Sequence, residues 1–316
     1  MKRVWLQGLF ITVFVFALLA LGNSATDFKI FTAFDTIGQA LKDFELTDYA
    51  FSKLRPDPKP EQRIILVNIG ALSRRELAQE ISIVSKYGPR VIGVDGIFTC
   101  EGGLRDSINC PALLDTLGNL MLSQAIQEAG NVVLAEKLMQ TDSLSKTDID
   151  LYDSLELPDP IFSDYAFKGF VNLPTNAVYQ EDVKLCRSIF PKIAVNGKDH
   201  LAFSVQIAYR YDSVVTKKFL ARNNPEEIIS YRGNIEVQQL KLKSLQNQET
   251  AATNFGTMFY VVDVDAVMRE EFAKELFKDN IVIMGYLGDY LGDPSWEDKF
   301  FTPLNSKVAG RANPDM

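Results

Sequence analysis

The chain of 316 residues is poor in the residues that hold transition metals, with one histidine and three cysteines. Zinc sites are built mainly from these two residue types at short, regular spacings. Cys100, Cys110 and Cys186 fit none of those spacings, and His200 is the single imidazole. The sequence therefore argues against a metal centre, and we expect no cofactor.

Two glycine-containing signatures are also missing. No G-x-G-x-x-G motif follows the first predicted strand, which disfavours a dinucleotide-binding fold. No G-x-S-x-G motif occurs, so the nucleophile elbow of an α/β-hydrolase is lacking. We expect no catalytic residues, and an exported hydrolase is the least favoured interpretation.

Positive charge is scarce. Lys and Arg total 33 against 41 Asp and Glu, which gives a net charge of −8 and an isoelectric point of about 4.9. Neutralising nucleic-acid phosphates requires clustered Lys and Arg. The acidic balance therefore argues against nucleic acid as a partner.

The stretch from Val4 to Leu21 has no charged residue at all. A helix needs about 17–25 apolar residues to cross a bilayer, and Lys2 and Arg3 before the stretch are typical of a cytoplasmic flank. We predict an inner-membrane anchor at residues 4–22, with residues 1–3 in the cytoplasm. A cleaved signal peptide is the alternative, although its apolar core is normally only about 7–15 residues. Both interpretations place the bulk of the chain in the periplasm.

Apolar runs that suit buried strands alternate with helical patterns through the rest of the chain. Runs at residues 64–69, 90–95, 131–135 and 281–285 predict strands covered on both faces. This alternation predicts an α/β fold with a mixed, mainly parallel central sheet flanked by helices, preceded by the transmembrane helix. The other predicted features are helices at 31–54, 73–87, 118–129, 201–211 and 264–277, a turn at Asn196-Gly197, a variable acidic and solvated insert at 140–164, and a polar connection at 240–254.

Several of these segments, taken in order, resemble one known family. They are Ile64–Ile69, Tyr87–Phe98, Gly130–Ala135, Gly169–Asn172, Asn280–Gly285 and Glu297–Pro303. Together they are similar to the second class of CHASE-type extracellular sensory domains, which are associated with bacterial cyclases and histidine kinases. The resemblance implies a sensory domain outside the cytoplasmic membrane, without established enzymatic activity, over residues 28–303.

The sequence departs from the family pattern at two places. Asn68 stands near the end of the first strand, where the family commonly has an acidic residue. Members usually continue into further membrane spans, so we expect the tail at 304–316 to be truncated before such spans.

Aspartates cluster after two of the predicted strands. Asp95 ends the second strand, and Asp289, Asp293 and Asp298 follow the last one. Ligands of open α/β sheets bind outside the carboxyl ends of strands, and carboxylates there suit a polar ligand or a hard cation. We predict a ligand-binding site at these four residues if the two strands are neighbours. In the alternative, which we favour over a metal site, Asp95 structures its turn and the others are solvated.

The cysteines and the histidine have separate interpretations. Cys100 and Cys110 flank one loop and can close it as a disulfide in an oxidising compartment, or remain free thiols. The alternation around Cys186 predicts a buried thiol. His200 follows a turn signal, which is more typical of a surface position than of a catalytic one.

These observations favour the signal-input domain of a membrane-anchored bacterial protein. We expect a ligand to act on the loops after the strands and the signal to reach the membrane through the helix at 31–54. The expected partners are the inner membrane, an unidentified small ligand or envelope protein, and a second copy of the chain. An envelope interaction module without a small ligand is the alternative.

Overall fold

The computed structural model describes residues 61–99, 115–141, 151–174, 186–231, 252–254 and 259–288, together with Thr12 and Phe14, which are helical. Its strands are β1 (Glu61–Asn68), β2 (Val91–Val94), β3 (Val132–Met139), β4 (Ser154–Glu156), β5 (Phe167–Phe170), β6 (Ser188–Ile189), β7 (Lys192–Val195), β8 (Lys198–Leu201), β9 (Glu227–Ile228), β10 (Ala252–Asn254), β11 (Phe259–Val262) and β12 (Ile281–Gly285). Its helices are α1 (Arg74–Lys86), α2 (Thr116–Ala129), α3 (Pro160–Ser163), α4 (Phe203–Tyr211), α5 (Ser213–Leu220) and α6 (Val264–Met268).

Eight of the described strands build one main sheet in the order β10-β11-β1-β12-β2-β3-β4, with β5 also paired to β3, while β6 pairs with β9 and β7 with β8 in two small sheets. Neighbours from β11 to β3 are parallel, as is the β3–β5 pair. β10 and β4 pair antiparallel with β11 and β3. The predicted α/β fold with a mixed, mainly parallel sheet is therefore confirmed, and all four predicted core strands are present.

One face of the sheet packs on α1, α2 and α6. Leu77, Ile81 and Val84 recur at helical spacing on α1 and are buried against residues such as Ile65 and Val67 of β1. A capping box begins α1, because Ser73 accepts from the amide of Glu76 and the Glu76 carboxylate accepts from the Ser73 amide. This capping box fixes where α1 begins after the β1 turn.

The other face of the sheet packs on α4, and two glycines allow the close approach. A Cβ atom at Gly93 of β2 would lie 2.4 Å from Cδ1 of Ile207, and one at Gly169 of β5 would lie 2.6 Å from Cα of Phe203. Real Cβ atoms do not come so near. Glycine at both positions therefore lets the helix lie directly on β2 and β5.

A smaller lobe extends from the carboxyl half of β3. The hairpin of β7 and β8 turns at Asn196-Gly197, as predicted, and packs with α4 and α5 on Leu138 and Phe170. Cys186 is buried and makes no disulfide, in agreement with the predicted core thiol.

Several sequence predictions differ from the structure. The helix predicted at 264–277 ends at Met268, and Glu270 adopts a left-handed φ of 52°. β11 and α5 were not predicted, and β10 lies in the stretch expected to be a polar connection. The second half of the acidic insert forms β4 and α3, and Phe162 of α3 is fully buried in the main core.

Within the part of the chain that the structure describes, no helix is long and apolar enough to cross a membrane. The predicted anchor at 4–22 lies outside the described residues except for Thr12 and Phe14. The helix predicted at 31–54, Cys100 and Cys110 also lie outside them.

Candidate functional site

The carboxyl ends of four parallel strands meet at one edge of the sheet. We call Asn68, Asp95, Asp263 and residues 285–288 at these ends the carboxyl rim. Asn68 ends β1, Asp263 follows β11, Asp95 follows β2, and residues 285–288 end β12 and continue beyond it. In α/β sheets this edge is where ligands bind.

Asn68 is the central polar residue of the rim and is fully buried. Its Nδ2 atom donates to Oδ1 of Asp263 at 2.9 Å and to the carbonyl of Gly288 at 3.1 Å. Its Oδ1 atom accepts from the amides of Gly70 at 3.1 Å and Leu287 at 2.9 Å. These four bonds use both donors and both lone pairs of the amide, so burial leaves no polar atom of this side chain unsatisfied. Asn68 thereby ties the ends of β1, β11 and β12 together.

Asp263 links the rim to the helical layer. It is the N-cap of α6, and its Oδ1 atom accepts from the amide of Val264 at 3.0 Å as well as from Asn68. A carboxylate at a helix N-terminus is favoured by the helix dipole and by the free amides there. A shift of α6 must therefore move a hydrogen-bond partner of Asn68.

Asp95 lies on the other side of β12 from Asn68. Its amide donates to the carbonyl of Met284 at 2.8 Å, and its Cβ atom is 3.5 Å from the position that a Cβ of Gly285 would take. Asn68 is in register with Gly285 on the opposite neighbour. Two strand spacings therefore put Asn68 and Asp95 about 10 Å apart. Asp95 is exposed.

The structure satisfies one condition for the predicted ligand-binding site. β2 and β12 are neighbours in the sheet, which is the condition for Asp95 to lie near aspartates that follow β12. Asp289, Asp293 and Asp298 lie outside the described residues. The four-residue site therefore stays a prediction. Among the described residues, no three acidic, histidine or cysteine side chains are grouped as a metal site.

α1 carries a buried carboxyl group on its side that packs on the sheet. Glu80 is fully buried, and neither of its oxygens has a hydrogen-bond partner among the described residues. Burial and, to a smaller extent, the negative charge of Asp263 raise the pKa of Glu80 to about 8.

A polar contact joins the β7–β8 hairpin to the main sheet. Nδ1 of His200 on β8 lies 3.0 Å from Oε1 of Glu136 on β3. The Glu136 side chain is 2% exposed and the His200 side chain 14% exposed. The expected surface position of His200 is therefore wrong, because the hairpin folds back over β3 and buries the imidazole.

A surface groove of about 690 Å³ lies in the helical layer, away from the rim. Residues lining it include Gln79, Ser82 and Lys86 of α1, and Met121, Gln124 and Glu128 of α2. Its mixed polar and apolar lining suits a small amphipathic molecule or a side-chain cluster of another protein.

Sequence reasoning missed the residues that build the rim. Asn68 was noted for its departure from a family pattern, and Asp263 was not singled out. Two signals were present: Asn68 is a lone amide at the end of a buried strand, and Asp263 directly precedes a helix, where an N-cap is expected.

Comparison with known proteins gives one family. No curated protein and no solved structure matches the chain. The family model of the CHASE2 domain matches residues 31–313, which include all the described strands and the whole carboxyl rim. The resemblance seen in the sequence is thus confirmed, and the chain belongs to the CHASE2 domain family of sensory domains.

Proposed function

We propose that the chain is the extracytoplasmic signal-input domain of a membrane-anchored bacterial signalling protein. Membership of a sensory family over residues 31–313 is the observation that carries this proposal. The uncharged stretch predicted as an anchor at 4–22 ends just before the matched region. This order suits a sensor held at the outer face of the inner membrane.

The input surface in this proposal is the carboxyl rim. Asp95 supplies an exposed carboxyl group beside β12, and Asp289, Asp293 and Asp298 follow Gly288 in the sequence. A ligand that binds these groups acts on the segment that Asn68 holds through Leu287 and Gly288. Such a ligand shifts the domain only if it binds two arrangements of this segment with different affinity.

Topology is tested first, in intact cells. Fusions of a periplasm-active and a cytoplasm-active reporter after residue 316 should show activity only for the periplasmic reporter. Deletion of residues 1–22 from the same fusions should reverse the result. Cytoplasmic activity of the undeleted fusion would refute the placement.

Ligand binding is tested on the purified chain. We expect a screen of small polar metabolites, with calcium and magnesium included, to yield a compound that raises the melting temperature. Asp95→Asn should abolish that shift, whereas Asp199→Asn, an exposed aspartate on the β7–β8 hairpin, should leave it intact. A shift that survives Asp95→Asn would place the input surface elsewhere, with the helical-layer groove as the next site to test.

One observation favours the alternative of an envelope interaction module. The rim between β1, β11 and β12 is already filled by the four hydrogen bonds of Asn68. A filled rim suits contact with another protein better than enclosure of a small molecule. Sedimentation of the purified chain, alone and with envelope extract, distinguishes a homodimer or hetero-complex from a monomeric receptor.

A further inference from the structure

Glu80 is chemically unusual for its position in the fold. It lies in the middle of α1, on the side that packs on the sheet, between the buried residues Leu77 and Val84. It is fully buried, and both carboxyl oxygens lack hydrogen-bond partners among the described residues. A buried, unpartnered carboxylate is very costly, so such a group stays protonated or is neutralised by a nearby charge.

The charge that acts on Glu80 has the wrong sign to neutralise it. Asp263, at the N-terminus of α6, is the group whose charge acts on Glu80, and it is also acidic. A negative charge near a buried carboxyl group disfavours the ionised form of that group further, because like charges repel. Burial of Glu80 and the charge of Asp263 therefore both favour a proton on Glu80 at neutral pH.

The other charged groups named on the elements that pack around Glu80 are exposed or have partners of their own. On α1, Glu76 belongs to the capping box and Lys86 is exposed. On α2, Asp115 pairs with Arg75, and Glu128 is exposed and accepts from Gln124. On α6 and after it, Asp265 is exposed and Arg269 pairs with Glu271. β1 carries its charges, Glu61 and Arg63, at the end opposite Asn68, where they pair with each other.

Asp263 connects this pair to the carboxyl rim. One of its oxygens accepts from Asn68, which also holds Leu287 and Gly288. A second negative charge beside Asp263 would push the start of α6 away from α1. That movement would draw Asp263 away from the amide of Asn68, the residue that fixes the segment after β12.

We propose that Glu80 and Asp263 form a proton-binding site between α1 and α6, and that loss of its proton loosens the rim segment held by Asn68. The site lies outside the predicted ligand set and depends on neither the placement of the domain nor its ligand. The bound species is a proton, and the rim segment is the element that responds.

Hydrogen–deuterium exchange on the full chain tests the coupling, after correction for the intrinsic pH dependence of the exchange chemistry. Backbone amides in peptides covering 263–268 and 281–288 should exchange faster as pH rises. We expect the equilibrium constant for their opening to increase by about tenfold per pH unit until Glu80 is ionised. In Glu80→Gln this dependence should vanish, whereas Glu128→Gln should leave it unchanged. Asp263→Asn, which keeps the Oδ1 atom that accepts from Asn68 and Val264 but removes the charge, should move the transition toward lower pH.

A second measurement needs no variant. In the wild-type chain with isotope-labelled glutamate carboxyls, nuclear magnetic resonance should show one carboxyl group that titrates at alkaline pH. A spectrum in which every glutamate titrates in the acidic range would overturn the proposal. Identical exchange profiles for the wild type and Glu80→Gln would overturn it as well.

Discussion

The side-chain amide of Asn68 donates a 2.9 Å hydrogen bond to Asp263, a residue 195 positions later in the chain. This bond connects the end of β1 to the start of α6. Because Asn68 is fully buried and Asp263 half-buried, the bond forms in an environment with little water. The rim therefore depends on one amide that donates and accepts at the same time.

Replacing that amide by a carboxylate should be strongly destabilising. Asn68→Asp puts a negative charge beside Asp263 and removes the donor to the carbonyl of Gly288. We expect a loss of about 3–5 kcal/mol in the free energy of unfolding, measured by urea denaturation. Asn224→Asp is the matched control, since Asn224 also donates to a carboxylate, Glu227, but is exposed. There the loss should stay below about 1 kcal/mol, and equal losses would contradict the role given to burial.

The approach of α4 to the sheet predicts the effect of added methyl groups. Gly169→Ala places its Cβ against the backbone of Phe203, which cannot move without the helix, and should cost about 1–3 kcal/mol. Gly93→Ala meets the end of the Ile207 side chain, which can rotate, and should cost less. At Gly96 an added Cβ makes only ordinary contacts, so Gly96→Ala should be nearly neutral. Chemical denaturation of the three variants checks this order.

The contact between Glu136 and His200 predicts that removal of the imidazole lowers the stability of the fold. His200→Ala leaves the buried Glu136 carboxyl without this partner and should lower the free energy of unfolding by about 2–4 kcal/mol. Lys192→Ala breaks the Lys192–Asp199 pair on the same hairpin, whose side chains are 34% and 56% exposed, and should cost less than about 1 kcal/mol. If the two variants lose equal stability, burial of the His200 contact is not what holds the hairpin.

Glu80 should make the free energy of unfolding fall as pH rises. Its pKa rises from 4.5 to about 8 on folding, so the folded chain binds a proton that the unfolded chain releases above pH 4.5. The stability associated with this proton is fully present below pH 4.5, falls as pH rises, and is lost above pH 8. The total is on the order of 5 kcal/mol. Urea midpoints of the wild type should show this alkaline loss. Glu80→Gln should lack it, and an equal loss in the variant would assign the slope to other groups.

The sequence predicted the parts of the fold that depend on local pattern. The apolar runs of β1, β2, β3 and β12 and the capping box at Ser73 can be recognised within a few residues. β11 could not be recognised so well, because its four residues FYVV form a short run after a polar stretch. The helix predicted after Asp263 was too long, since apolar spacing continues to Phe277 while the backbone turns at Glu270.

The site was harder to predict than the fold because its contacts join distant residues. Asp95 could be predicted from its place at a strand end. The partners of Asn68 depend on β12 lying between β1 and β2, an order that no local pattern reveals. The contact of His200 with Glu136 likewise depends on the hairpin folding back over β3.

The position of β12 also has a consequence for biosynthesis. Its partners β1 and β2 are both synthesised early, yet β12 is made only after all the other described strands. At about 5–20 residues per second, the ribosome needs roughly 10–40 seconds between Asn68 and Gly285. During that interval neither β1 nor β2 can pair with β12 as it does in the finished sheet. The nascent chain must keep these two apolar edges from aggregating until its last strand arrives.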